Sequence, residues 1–410
     1  MKVGLYLKNL KAEVGGGSTF ETAIFQSLLK YGADSGHKFM VFTRSQGLEK
    51  EISAKHIEVI PIQRSYANRT LKERLKYKLN KTTSGIFKQV KVENLEEKFV
   101  LNSGVEIFWY LELGTYDYLT MEIPYITTVW DLEHRNQPYF PEVSTGGRWE
   151  KRDRSYGTKI QRSAAIITGT EAGKAEIERF YQVAPERIKV IPYPTPNFAL
   201  NFTSNDEQQV LNKYNIPAQY LFYPAQFWPH KNHAALLLAL QFLRDEHNLV
   251  LPLVLVGADK GNQQYIQKLV ADLNLSNQVH FLGFVPQEDL MLLYRNAFAL
   301  TFTTLYGPDN LPPLEAFALG CPVVASIVAG ANEQLGDAAL LVDAKDEKQL
   351  AMAIKSLYDN PELRSTLVQR GLERASRWTG GDYMKSIFSI LDEFKLIRRC
   401  WSSEEPFRRR

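Results

Sequence analysis

The stretch from Gly307 to Val324, reading GPDNLPPLEAFALGCPVV, constrains this chain most, because its punctuation permits one local course: loop, short helix, buried strand. Gly307 and Pro308 break the backbone into a loop. Asn310 suits an N-cap, and Pro312 and Pro313 fit just inside a helix start, where the first amides have no intrahelical partner. Gly320 and Pro322 stop the helix, and the run 322–325 reads as the next buried strand. The same grammar puts Glu315 in the first helical turn. A carboxylate there is either a plain helix-start acid, favoured by the dipole, or an acceptor for a ligand's hydroxyls if it faces a cleft. The residues alone leave both readings open.

Around this stretch, apolar strand patterns alternate with helical ones. Strands are expected near 3–7, 38–43, 56–61, 106–111, 125–129, 164–169 and 187–191, then near 220–223, 251–257, 279–282 and 298–302. That alternation predicts an α/β chain. At 410 residues it is long enough for two full cores. The boundary falls in the stretch running from Pro192, Pro194 and Pro196 to the polar residues 201–207, so domains are expected at 1–200 and 201–382, with a final helix and basic tail over 383–410. Hydrophobic residues at 44% and charged residues at 23% fit an ordinary globular protein, and a formal net charge of +3 gives no global reason to expect nucleic acid. Cys321 and Cys400 stand apart, without disulfide or metal spacing, which suits a reducing cytoplasm. The first residues already read as a strand with no signal-peptide core before it, and no apolar run is long enough to predict a spanning helix.

Several positions carry chemistry. Gly15, Gly16 and Gly17 follow the first strand and precede a helix expected from about Phe20 to Tyr31, an arrangement that can aim backbone amides at an anion or serve as a bland flexible loop. Strand 125–129 runs into Trp130-Asp131-Leu132-Glu133-His134, at the strand end where ligands bind in open α/β sheets. Lys231 lies at a strand-to-helix turn, where a cation and a helix start together favour phosphate. Between 66 and 91 runs a basic stretch with Lys72, Arg74, Lys76, Lys78, Lys81, Lys88 and Lys91, while Leu71, Leu75 and Leu79 recur at helical spacing. It reads as a solvated surface helix or as a face toward anionic lipid or a lipid-linked ligand.

The segment L-P-P-L-E-A-x-A-x-G-x-P-V-V, with the run from Gly330-Ala331-Asn332-Glu333 to Asp343, resembles the signature of the retaining, nucleotide-sugar-dependent family 4 glycosyltransferases. The resemblance implies a GT-B fold: two Rossmann-like domains facing across a deep cleft, with the C-terminal helix crossing back to the first. It further implies that Glu315 holds the donor ribose, and that Asn310, Leu311 and Pro312 wrap the diphosphate and sugar. By the same token the Gly15–Gly17 loop approaches the diphosphate, Phe284 belongs to the loop reading the base, and His134, in D-L-x-H, contacts the transferred sugar. Lys231 matches the lysine of the family's G-R-x-x-P-x-K-N element, whose arginine position holds Gln226; His230 or Arg135 would have to supply the missing cation. The family's paired glutamates, E-x7-E, are also incomplete. The first falls on Gly307, or on Thr304 if the loop is longer, and neither is an acid; Asp309 is the acid of this loop, in the wrong register.

The function this implies is retaining transfer from a nucleoside-diphosphate sugar to a saccharide acceptor, expected to be lipid-linked, in polysaccharide or glycoconjugate biosynthesis. His134, Lys231 and Glu315 are its catalytic candidates, with neither metal nor cofactor, and its place is cytoplasmic or peripheral on the membrane. The competing readings are a GT-B sugar-nucleotide epimerase and a non-catalytic sugar-nucleotide-binding protein. A glycoside hydrolase would need a flanking carboxylate pair, and none stands out.

Overall fold

The computed structural model describes residues 1–7, 16–45, 48, 52, 56–62, 95–114, 118–204 and 207–401. Gly15, the basic stretch 72–91 and the arginines at 408–410 lie outside the described residues.

The first sheet is built from β1 (Lys2–Leu7), β2 (Lys38–Thr43), β3 (Ile57–Pro61), β4 (Ile107–Tyr110), β5 (Tyr125–Thr128), β6 (Ala165–Thr168) and β7 (Ile188–Val190). The second comprises β8 (Leu221–Pro224), β9 (Leu253–Val256), β10 (Val279–Gly283), β11 (Ala299–Phe302), β12 (Val323–Ser326) and β13 (Ala339–Val342). Their orders are β3-β2-β1-β4-β5-β6-β7 and β10-β9-β8-β11-β12-β13, and neighbours such as β1 and β4, or β8 and β9, pair in parallel. Parallel strands need crossovers that cover both faces, which is why these strands are apolar on both sides. In β1, Val3, Leu5 and Leu7 join one core with Phe20, Ile24 and Leu28 of helix Gly16–Tyr31. The opposite face, through Tyr6, meets a second core with Phe108 and Tyr110 of β4.

Both sheets reverse direction beside their first strand, between β1 and β4 and between β8 and β11. Such a switch point opens a crevice at the carboxyl ends of the strands. The glycines after β1, Lys231 after β8 and the Gly307–Glu315 stretch after β11 all emerge there.

Three local details differ from expectation. Helix Gly16–Tyr31 starts at Gly16, so Gly16 and Gly17 form its first turn instead of a preceding loop. Helix Leu311–Ala318 begins at Leu311, which moves Glu315 past the first turn. Asn310 occupies the N-cap position without a side-chain cap; its Nδ2 instead donates to the Gly307 carbonyl at 2.7 Å.

The chain passes between domains twice. Beyond β7, Ala199 of the short helix Asn197–Leu200 is already part of the second core. On the return, Trp378 marks the crossing: its Nε1 donates to the Pro192 carbonyl at 2.8 Å. Helix Gly380–Arg398 follows, capped reciprocally by Thr379 and Asp382. Its Tyr383, Met384, Ile387, Ile390 and Leu391 are buried in the first domain's core. Burying each of the Met, Ile and Leu side chains among them contributes roughly 1.5–3 kcal/mol, so this helix belongs energetically to the first domain. No described helix is long and apolar enough to cross a membrane.

Candidate active site

The facing carboxyl ends of the two sheets enclose a cleft of about 720 Å³. Gly16, Gly17 and Trp130 line it from the first domain, and Gln226, Lys231, Phe284, Asn310, Leu311, Pro312 and Glu315 from the second. A Cβ added at Gly16 would meet nothing within 4 Å, so open space adjoins the first turn of its helix. Gly17 is needed for a different reason: its Cβ would lie 2.5 Å from the Trp130 indole. The helix start thus presents amides at the cleft with no side chain of the described residues in front of Gly16, an anion-favouring arrangement.

Lys231 is the one lysine or arginine among the described residues lining this cleft. Its ammonium lies 5.2 Å from the centre of the Phe302 ring. Burial pulls its pKa down to about 8, against the opposing pull of Asp131. A half-desolvated ammonium without a carboxylate partner has most to gain from a bound anion.

Glu315 is buried at the cleft floor. Its Oε2 accepts a hydrogen bond from the Tyr294 hydroxyl at 2.8 Å. Burial pushes this carboxyl up to about 7, and the tyrosine hydrogen bond works against that rise. It is an acceptor held in place from behind.

Neither suggested substitute for the missing arginine supplies a cation. Gln226 accepts a hydrogen bond from Trp228 Nε1 at 2.9 Å. His230 lines the cleft, but its Nδ1 and backbone amide are held by Glu142 at 2.7 and 3.1 Å, and burial lowers its pKa despite that carboxylate. Arg135 pairs through both Nε (2.6 Å) and a terminal nitrogen (2.9 Å) with Asp153, outside the cleft.

Two other positions lie elsewhere than the resemblance implied. His134 does not line the cleft: it is fully buried, with Nε2 3.2 Å from the Tyr181 hydroxyl and 3.5 Å from Asp153, and its ring edge-on to Tyr156. Burial drives its pKa down to about 4, keeping it neutral. Thr304 is also buried, its hydroxyl donating back to the Tyr306 carbonyl at 2.8 Å. Gly307 cannot simply be replaced by an acid. Its φ is +117°, and a Cβ there would lie 2.8 Å from the Asn310 side chain.

Two cleft residues named in the sequence, Trp130 and Asp309, were given no site role there. Trp130 stands at the end of β5, and its indole Nε1 is buried without a partner. Its position at a strand's carboxyl end was the available signal. Asp309 lines the cleft too, accepting from the Tyr193 amide at 3.0 Å and from the Gln334 side chain.

Residues 205–374 match the family model for glycosyl transferases group 1. The chain is 28% identical over 240 residues to the O-antigen chain mannosyltransferase B of Escherichia coli, covering 58% of this chain and 63% of that one. It is 30% identical over 203 residues to the O-antigen chain mannosyltransferase RfbU of Salmonella typhimurium, covering 50% and 53%. These matches span between about half and just under two thirds of the relatives' lengths. The structure superimposes on that of Anabaena HepE in complex with UDP-glucose with a TM-score of 0.68 and 18% identity, covering 96% of this chain and 100% of the other.

Proposed function

We propose that this chain, a GT-B protein whose residues 205–374 form a glycosyl transferases group 1 domain, is a retaining glycosyltransferase using a nucleoside-diphosphate sugar. The observation that carries the reading is the meeting, in one cleft, of the cation Lys231, the amino end of helix Gly16–Tyr31 and the buried acceptor Glu315. That set matches a diphosphate flanked by a hydroxylated ribose.

In this reading Glu315 accepts hydrogen bonds from the ribose hydroxyls. Lys231 and the Gly16 and Gly17 amides hold the diphosphate. Residues Asn310–Pro312 close over the sugar, and Phe284 lies at the base end. The bond between the anomeric carbon and the phosphate oxygen breaks toward an oxocarbenium-like state, and negative charge grows on the diphosphate. Preorganised donors aimed at that charge are each worth about 2.7–4 kcal/mol. The acceptor hydroxyl forms the new bond on the same face, and its proton passes to the departing phosphate oxygen. Fixed cation and amides would perform the charge stabilisation without a metal.

The O-antigen names of the relatives support a saccharide acceptor. With the basic stretch 72–91, they favour a lipid-linked one presented at an anionic membrane surface. Gly307, where an acid is missing, favours a second reading, in which the protein binds the sugar nucleotide without transfer.

Incubating the full chain with GDP-mannose or UDP-glucose, with and without a lipid-linked saccharide, separates the readings. Acceptor-dependent release of nucleoside diphosphate with an α-linked product supports retaining transfer. Consumption of donor without acceptor points to an epimerase. Binding seen as a thermal shift, without release, leaves the non-catalytic reading.

A further inference from the structure

Lys231 enters the donor cleft from the short helical turn Pro229–Lys231, which lies between β8 and helix His233–His247. Its ammonium rests over the Phe302 ring with no ion-pair partner among the described residues. The backbone of the turn therefore sets where the ammonium lies.

The second domain ties down the carboxyl side of the turn. The Lys231 carbonyl accepts from the Tyr223 hydroxyl at 2.6 Å and from the Thr303 hydroxyl at 3.3 Å, and Asn232 Nδ2 donates to the Ala344 carbonyl at 2.7 Å. The amino side is held from the opposite domain. Glu142, in the short helix Pro141–Ser144, accepts through Oε1 from both the backbone amide and Nδ1 of His230, at 3.1 and 2.7 Å.

The Glu142 side chain is only 7% exposed, so water competes little for these bonds. Burial would raise its carboxyl, but the bonds from His230 and from backbone amides bring it below the ordinary range, so it is ionised. An ionised carboxylate only accepts, which puts the proton of neutral His230 on Nδ1. The imidazole is clamped on its flanks as well. It stacks on Tyr306, with centroids 4.0 Å apart and planes at 14°, and Phe140 packs edge-on against both rings, at 6.3 and 5.9 Å. The His230 carbonyl accepts from the Leu305 amide at 2.8 Å, and the Leu305 carbonyl accepts in turn from Gln137 Nε2 at 3.0 Å. First-domain residues 137–142 thus grip the residue before Lys231 by its backbone, by its ring and through the loop beside it.

We propose that Glu142 is a positioning residue for Lys231: through its two hydrogen bonds to His230, the first domain fixes the turn that aims the ammonium into the donor cleft. That the ammonium meets a diphosphate there rests on the proposed function; that Glu142 places it does not.

The test is a double-mutant cycle on the full chain, with calorimetry of GDP and UDP binding. Glu142→Ala should raise the nucleotide Kd by roughly tenfold, the scale of lost charge-assisted hydrogen bonds. Glu142→Gln keeps an oxygen for both donors and should stay near wild type. In a Lys231→Ala background, Glu142→Ala should change the Kd little, because there is no ammonium left to place. His230→Phe keeps a ring on Tyr306 but deletes the Nδ1 donor, and it enters the same cycle if Glu142→Ala folds poorly. A second readout needs no nucleotide. The 13Cε resonance of Lys231, in lysine-labelled protein, should titrate near 8 in wild type and move toward 10.5 in Glu142→Ala and in His230→Phe, as the released side chain gains water. A wild type that binds neither nucleotide counts against the donor reading, and the titration then decides the positioning role by itself. Equal losses on removing Glu142 with and without Lys231, a glutamine variant as weak as the alanine one, or a Lys231 titration unmoved in both Glu142→Ala and His230→Phe would each overturn the proposal.

Discussion

Glu333 of the second domain sits on the amino end of a first-domain helix: its Oε2 accepts from the Glu171 amide at 2.6 Å and its Oε1 from the Ala172 amide at 3.0 Å. Beside it, Asp309 accepts from the Tyr193 amide of the interdomain segment at 3.0 Å. Asp309 and Glu333 follow β11 and β12. The loop that lines the cleft through Asp309 therefore also clasps the opposite domain, with Glu333 of helix Ala331–Leu335 adding a second hold beside it.

Glu333→Ala should loosen the clasp. Charge-assisted bonds at a solvent-facing helix start are worth about 1–2 kcal/mol, enough to shift a closed-to-open equilibrium by roughly fivefold to thirtyfold. Small-angle scattering should report a larger radius of gyration for the variant, and donor KM should rise. An unchanged radius would mean that Glu333 does not hold the domains together.

The pKa of Lys231, lowered by burial to about 8 from 10.5, makes donor use and stability respond to pH in opposite senses. Anion binding needs the ammonium, so kcat/KM for donor should fall as pH rises through about 8. The empty protein behaves differently. Its folded-state pKa lies below the unfolded one, so the unfolded chain binds more protons between about 8 and 10.5, and stability rises with pH there. Lys231→Met should abolish that part of the stability profile and raise the melting temperature near neutral pH. A kcat/KM profile flat from pH 7 to about pH 9 would contradict the role given to this ammonium.

Tyr294 steadies Glu315 in its accepting form. Without the hydroxyl, burial would act unopposed on a carboxyl already raised to about 7, and less of it would be ionised at neutral pH. Tyr294→Phe should raise donor KM by roughly tenfold, the scale of one hydrogen bond to a charged group, with kcat at saturation little changed. Glu315→Ala should raise KM further. Donor KM unaltered in both variants would remove Glu315 from the ribose site.

The parts of this molecule that sequence could convey are those coded by neighbouring residues. The β1–glycine–helix course, Lys231 at its turn and Glu315 behind its prolines are local patterns, and all lie on the cleft. What escaped depends on distant partners. His134 follows a strand end as a ligand residue would, but Tyr156, Tyr181 and Asp153 draw its ring into the interior. Arg135 and His230 looked like spare cations until Asp153 and Glu142, remote in sequence, were seen to engage them. The length of a helix start is similarly hard to judge: glycines predict a loop, yet Gly16 and Gly17 are helical, and glycine at 17 is required instead by the Trp130 ring, which leaves no room for a Cβ.

The central claim is that Lys231 stabilises charge developing on a departing diphosphate, and steady-state kinetics of Lys231→Ala against wild type, at saturating donor and fixed acceptor, tests it most directly. The account predicts a kcat lower by about 10²–10³, the effect of removing one preorganised charge-stabilising donor, with a smaller change in donor KM. A Lys231→Ala variant that turns over donor at close to the wild-type kcat would contradict it.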